Sequence, residues 1–353
     1  MSSLPLTSPP ESLCILRLSA IGDISHTLPV VRTLQARWPD TRLTWIIGKT
    51  EHALVGDIPG IDFIIFDKKR GWRAYLDVRR QLRGRRFDVL LHMQMALRAS
   101  LISLFIDAPI KLGFDRARAK DGQWLFTNAQ IAPRQREHVL DSLFGFSAAL
   151  GVTERRLRWD IPIPEAARRY AEQLLPGAQP TLIISPCSSQ AHRNWTAEGY
   201  AAVADYAVER HGMRVLLTGG GSALEREMGN AIEQLMRHHP LNVIGATNLK
   251  QLLALLSRAA ALLAPDAGPA HLATAVGTPV IGLYACTNPD RARPYLSEGL
   301  VVNKYPESVQ VHYGKLPGQL PWGTRVRDRG AMSLIAVTDV TAILDRLLAN
   351  DPR

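Results

Sequence analysis

The chain has only three cysteines, Cys14, Cys187 and Cys286, with no CxxC spacing and one left over from any pairing. That excludes a disulfide framework and a paired-cysteine zinc site, and it fits a reducing cytosol. No apolar run reaches the roughly 18 residues of a membrane span. The longest, residues 252–264, is interrupted by Ser257 and Arg258. The first ten residues, MSSLPLTSPP, lack a basic region followed by a long apolar one, so they read as a loose leader and not a signal peptide. HExxH and GxSxG are absent, and hydrolase and metalloenzyme readings lack their residues. The TGGGS turn at 218–222 misses the dinucleotide fingerprint because Leu224 stands where Gly or Ala is needed. Gly48, Lys49 and Thr50 imitate the end of a P-loop whose opening glycine would fall at Leu43.

What is present is an ordinary globular balance, 46% hydrophobic and 21% charged, over 353 residues. A single core rarely grows that large, so two domains are expected. Lys and Arg number 42 against 32 Asp and Glu, a net charge of +10. Acidic partners are favoured: nucleic acid, an anionic membrane face or phosphorylated substrates.

Short, nearly continuous apolar runs alternate with helical patterns from end to end. Residues 13–18, 43–47, 63–66, 89–92 and 110–113 read as strands, with helices at 72–82, 95–106 and 138–150. Prolines at 162, 164, 176 and 180 mark a boundary. Strands then resume at 181–185, 214–217, 243–244, 261–264 and 280–284, with helices at 196–211, 223–237 and 249–259. The fold class is α/β with largely parallel sheets. Expected domains are 1–165, 166–335, and a C-terminal helix within 336–353 that could cross back to the first.

The most informative stretch is 261–289, ALLAPDAGPAHLATAVGTPVIGLYACTNP. It reads as strand, tight loop, short helix and strand, with Gly268 and Pro269 suited to a helix start. Asp266, Ala267, Gly268, Pro269 and His271 there suit a nucleotide-sugar diphosphate, and equally a capping Asp beside a packed His. The loop at 187–195 adds the hydroxyls of Ser188 and Ser189 and the cation of Arg193. In the first half, Gly22 permits a turn that leaves Asp23 and His26 at the rim of a strand's carboxyl end, where open α/β sheets bind ligands, or in the first helical turn. The basic cluster at 79–86 reads as a solvated helix face. The loop bearing Arg116, Arg118 and Lys120 follows a strand end and reads as anion-binding. Residues 300–330, with Tyr305, Tyr313, Trp322, Arg325, Arg327 and Arg329, read as an acceptor-side flap or a surface loop.

Taken in order, IGDISHTLP at 21–29, HRNW at 192–195 and DAGPAHLA at 266–273 followed by GTPVIGLY at 277–284 resemble glycosyltransferase family 9, the lipopolysaccharide heptosyltransferases. The resemblance runs from about Cys14 to Tyr295. It implies a GT-B fold, two Rossmann-like domains facing across a cleft, and inverting, metal-independent transfer from ADP-heptose to the Kdo-lipid A inner core, as in the first heptosyltransferase. It also implies no cofactor, no nucleic acid, a monomer, and cytoplasmic location, peripheral at the inner face of the cytoplasmic membrane. Asp23 matches the general base. Asp266, Gly268 and His271 match the donor loop, with Arg193 where lysine is usual and Ala267 where a hydroxyl is usual, and Ser188, Ser189 and Pro269 are placed with them as donor-binding by their position in the same loops. His26, Arg98 and Lys120 fall on the acceptor side. A carboxylate is usual after the TGGG turn; Ser222 and Ala223 stand there, with Glu225 beyond. The readings kept beside this one are the second heptosyltransferase or another core transferase, and a nucleotide-sugar epimerase or hydrolase.

Overall fold

A computed structural model describes residues 4–328 and 330–349; Arg329 and the leader's first three residues lie outside the described residues. The chain divides into two compact units, Met1–Pro162 and Ile163–Arg353.

The first unit runs β1 (Ser12–Leu16), α1 (Ile21–Arg37), β2 (Arg42–Gly48), α2 (Lys49–Val55), β3 (Ile61–Phe66), α3 (Trp72–Leu82), β4 (Val89–His92), α4 (Leu97–Ser103), β5 (Ile110–Gly113), β6 (Ala129–Gln130) and α5 (Val139–Ala149). The second runs α6 (Glu165–Leu174), β7 (Thr181–Ile184), α7 (Ala197–His211), β8 (Arg214–Leu217), α8 (Ala223–Leu235), β9 (Leu241–Asn242), α9 (Leu249–Leu256), β10 (Ala261–Pro265), α10 (Gly268–Ala275), β11 (Val280–Tyr284), α11 (Pro289–Ala292), β12 (Val301–Asn303), α12 (Tyr305–Tyr313) and α13 (Val337–Ala349).

Each unit holds one six-stranded sheet, β3-β2-β1-β4-β5-β6 in the first and β12-β11-β10-β7-β8-β9 in the second. All pairings are parallel. Counted within its own unit, each sheet has the Rossmann order 3-2-1-4-5-6. Parallel strands are covered on both faces, so central ones must be apolar throughout. Accordingly every residue of β1, β4, β7, β10 and β11 is buried. In this order the chain changes direction between β1 and β4, and again between β7 and β10. A crevice opens at the carboxyl ends of such a pair, because the two following loops leave to opposite sides.

Several details differ from the expectations. The edge strand of the second sheet is at 241–242, not 243–244. The helix expected from 95 starts at Leu97 because Ala96 is extended. Part of the leader is packed: Leu6 N–H donates to the Leu150 carbonyl at 3.2 Å, and the buried Pro10 carbonyl accepts from Thr41 Oγ1 at 2.6 Å. Residues 300–330 are no simple loop, since they supply β12 and α12. α13 packs within the second unit, where the Asp345 carboxylate accepts from Tyr206 Oη at 2.9 Å and meets His211 Nε2 at 2.7 Å.

Candidate active site

In the first unit the apolar run of β1 ends in a cation. Arg17 is buried, its guanidinium donates to the Met93 carbonyl after β4, and it pairs with Asp23 at 2.5 Å. Asp23 is the third residue of α1, and its carboxylate also accepts from the Ala20 amide at 3.2 Å. Both contacts fall on Oδ2. Among the described residues nothing hydrogen-bonds Oδ1, and the side chain is 38% exposed. The carboxylate is therefore oriented through one oxygen and open through the other, which suits a group that receives a proton.

The turn before α1 is braced from the neighbouring loops. Leu18 N–H donates to Gln94 Oε1 at 2.6 Å, and Gln94 Nε2 donates to Ser19 Oγ at 3.3 Å. Gln123 Nε2 in turn donates to the His92 carbonyl at 2.8 Å, while its Oε1 accepts from Phe114 N–H at 3.2 Å. The loops after β1, β4 and β5 thus form one hydrogen-bonded set. His92, in its centre, is held down to about 4 by burial.

His26 is not at the rim. It is buried, with its ring edge-on to His138 at 5.4 Å between centroids. Arg98 and Lys120 are both exposed, on adjoining segments. Asp121, in the left-handed region at φ 51°, reaches back so that its carboxylate accepts from Leu97 N–H at 3.4 Å, next to Arg98. Arg98 and Lys68 pull the Glu51 carboxyl down, although burial, the larger effect, leaves it raised. Of the other loop cations, Arg116 lies over the Trp124 ring at 4.5 Å. Arg118 is structural, pairing with Asp115 and Glu137 and donating to Ser142 Oγ at 2.8 Å.

In the second unit the loops after β7 and β10 meet. Arg193 Nη1 pairs with Asp266 Oδ2 at 3.1 Å, with both side chains largely buried. Asn194 Oδ1 accepts from Ser188 N–H at 2.8 Å and Ser188 Oγ from Gln190 N–H at 3.3 Å, closing the loop. Ser188 is buried and Ser189 exposed. Ala267 is the extended residue before α10 and supplies no side-chain cap, while Pro269 sits in the first turn. The Ala270 amide donates to the Ala267 carbonyl at 3.2 Å, so it is already bonded within the turn. His271, on this helix, is buried.

Sequence reasoning missed the third contributor. Val326 N–H donates to the Cys286 carbonyl at 2.9 Å, and Thr287 and Arg325 form a bridge. Cys286 Sγ donates to the His192 carbonyl at 3.0 Å, so the 325–328 segment and the Arg193 loop are tied to one residue. Arg325 is consequently lowered by desolvation and by the charges of Arg193 and Arg291, with Asp266 acting against them. Burial, followed by Arg193, Arg327 and Arg325, also lowers His192. Arg193, Arg291, Arg325 and Arg327 therefore lie close enough to act on Arg325 or His192, Asp266 pairs with Arg193 alone, and Arg193 Nε and His192 Nε2 are buried without a hydrogen-bond partner among the described residues. An excess of cations with unmet donors fits a polyanion such as a diphosphate. The sequence singles out Arg325 and Arg327 in the 300–330 stretch, but as part of an acceptor-side flap or surface loop; the sign of a donor-side role is the RVR alternation at 325–327, which buries Val326 and leaves both arginines exposed. Arg17 was signalled as a cation inside the run LCILRL.

Glu225 is committed to the start of α8. Its carboxylate accepts from Gly220 N–H at 2.7 Å and from Ser222 Oγ at 2.5 Å, while Ser222 Oγ caps the Glu225 amide at 3.3 Å.

Residues 75–318, more than half of the chain, match the family described as Glycosyltransferase family 9 (heptosyltransferase). The chain is 44% identical to the lipopolysaccharide core heptosyltransferase OpsX of Haemophilus influenzae, over 98% of this chain and 99% of that protein. Its fold is similar to the family 9 glycosyltransferase structure from Veillonella parvula, with a TM-score of 0.80 at 22% identity, covering 97% and 98% of the two chains. It is also similar to Escherichia coli heptosyltransferase WaaC with ADP, with a TM-score of 0.72 at 16% identity, covering 95% and 99%. The pair of Rossmann-like units is a GT-B fold. The chain is a glycosyltransferase, and it belongs to glycosyltransferase family 9, the heptosyltransferases.

Proposed function

We propose that the protein transfers heptose from ADP-heptose to the Kdo-lipid A inner core of lipopolysaccharide, with inversion at the anomeric carbon. The observation that carries the donor and the reaction is the full-length match at 44% identity to a lipopolysaccharide core heptosyltransferase. Asp23 Oδ1 receives the proton of the acceptor hydroxyl as that oxygen attacks the anomeric carbon. The bond from that carbon to the diphosphate oxygen breaks as the new one forms, and ADP leaves with the electron pair through an oxocarbenium-like transition state. Arg193, Arg325 and Arg291 meet the charge that develops on the diphosphate, and Asp266 holds Arg193 in place. Ser189 and the backbone amides of Ala267 and Gly268 at the start of α10 supply neutral donors, and Pro269, which has no N–H, fixes the first turn for a close backbone approach.

Arg98 and Lys120 are assigned to the acidic acceptor sugar, supported by their exposure on adjoining segments. The enzyme works as a monomer, peripherally at the inner face of the cytoplasmic membrane. None of the helices, among the described residues, is long and apolar enough to cross a bilayer.

The test is ADP release from ADP-heptose with and without Kdo-lipid A. Release that depends on this acceptor supports the proposal. Release without any acceptor points to hydrolysis, and release only with an acceptor that already bears heptose points to a later core transferase.

A further inference from the structure

Beside Arg98 and Lys120, which are assigned to the acceptor, the first unit carries exposed apolar side chains that the transfer chemistry does not use. On α4, Leu97 and Leu101, with Leu104 just beyond, recur at helical spacing and are all exposed, Leu104 by 60%, while Ala99 and Ile102 are buried on the opposite side. α3 repeats the pattern. Trp72, 68% exposed, and Leu76 stand out while Ala74, Val78 and Leu82 are buried. The two helices share one core and lie side by side, with the Arg79 guanidinium over the Phe105 ring at 6.0 Å. Asp121 joins the 116–125 loop to the start of α4, and that loop ends in Leu125, 67% exposed. Large apolar side chains scattered singly need no explanation, but neighbouring stripes on adjacent helices do.

The charge around these stripes identifies what covers them. Residues 68–86 hold nine Lys and Arg against the single acid Asp77. Arg70 and Arg80 pair with Asp77, Arg85 with Asp62 and Arg86 with Asp107. Arg73 and Arg79 on α3 and Arg83 just after it are exposed and have no acidic partner among the described residues, Arg73 lying over the Trp72 ring at 5.9 Å and Arg79 over Phe105. Apolar side chains flanked by unpaired arginines match a bilayer interface, with acyl chains for the leucines and tryptophan and anionic headgroups for the guanidinium groups.

We propose that the exposed face of α3 and α4, with Leu125, is the surface by which this protein docks on an anionic lipid bilayer. This rests on the peripheral-membrane part of the proposed function and adds the residues that perform it. Docking here would keep the first unit beside an acceptor that is itself embedded in lipid.

The experiment is vesicle co-sedimentation of the full chain with phosphatidylglycerol-containing or purely phosphatidylcholine vesicles, alongside ADP release with a water-soluble Kdo acceptor. The variants are Leu97→Ser/Leu101→Ser/Leu104→Ser, Arg73→Ser/Arg83→Ser, and the control Leu235→Ser/Leu316→Ser in the second unit. The triple leucine variant is expected to lose at least about tenfold in partitioning. The arginine variant should lose about fivefold or more on anionic vesicles alone, with less loss at high salt. The control should bind as the unaltered chain does, and all variants should keep turnover on the soluble acceptor. Unaltered vesicle binding by the triple variant overturns the assignment of this face while leaving membrane association intact. Failure of the unaltered chain to bind vesicles overturns docking altogether, with transfer judged separately by the soluble assay. If the unaltered chain is instead a dimer that the triple variant converts to a monomer, the face belongs to a second copy and the lipid assignment falls.

Discussion

Replacing Asp23 with Asn separates chemistry from structure because the two costs differ widely in size. Asparagine keeps an oxygen for the Ala20 amide and for Arg17, so the turn before α1 retains its hydrogen bonds. What is lost is the negative charge opposite Arg17. Asp23 is 38% exposed but Arg17 only 9%, so solvent screens one partner of the pair and not the other, and replacing the carboxylate by a neutral acceptor costs about 1–2 kcal/mol of stability. Against an ordinary stability of about 5–15 kcal/mol, the variant stays folded. The chemical cost is larger. Without a base in reach of the acceptor hydroxyl, kcat falls by about 10²–10⁴, which is roughly 2.7–5.4 kcal/mol of activation free energy. ADP-heptose affinity should change by less than about twofold, since the loss concerns an interaction made in the transition state. Steady-state ADP release with acceptor present measures kcat, calorimetry measures donor affinity, and a thermal melt checks folding. A folded variant with kcat within about tenfold of the parent would remove Asp23 from the base role.

Three further outcomes follow from the geometry. Arg193→Ala and Arg325→Ala should each weaken ADP-heptose binding by about tenfold or more, the worth of a charge-assisted hydrogen bond, and leave acceptor affinity little changed; equal donor affinity in Arg325→Ala would remove the 325–328 segment from the site. Burial holds His92 at about 4 against an ordinary 6.5, so the unfolded chain binds the extra proton between those values. Stability should therefore fall as pH drops from about 6.5 towards 4, by up to about 3 kcal/mol, and urea melts of His92→Gln should lack that part of the slope; identical slopes would place the titrating group elsewhere. Burial pushes Cys187 up to about 12 and Cys286 to about 11, and raises Cys14 as well. Native protein should hence resist a thiol-specific disulfide reagent that modifies all three after denaturation, and rapid native labelling would contradict the packing around them.

The central strands were legible because parallel strands covered on both faces must be continuously apolar, and 13–16 and 261–265 could scarcely be anything else. The two-residue edge strands β6 and β9 carry too little pattern to be read. Asp266 lies in the loop directly after β10, Arg193 in the longer connection after β7 and Asp23 in the first turn of α1 after β1, so local order was enough to locate them near the carboxyl ends of central strands. Their pairings were a different matter. The 325–328 segment and the Arg193 loop are tied together at Cys286, through Val326 N–H and the His192 carbonyl, contacts between segments far apart in sequence. His26 has the same helical environment in sequence terms as Asp23, yet its ring turns inward to His138, a residue on a distant element. Glu225 is legible in retrospect, since Ser222 with Glu at the third position is a capping box.

The most direct test of the central claim is mass spectrometry of purified Kdo-lipid A after incubation with the protein and ADP-heptose. The account predicts a mass gain of one heptose that vanishes with Asp23→Asn. An acceptor of unchanged mass, with the folded protein and both substrates present, would contradict it.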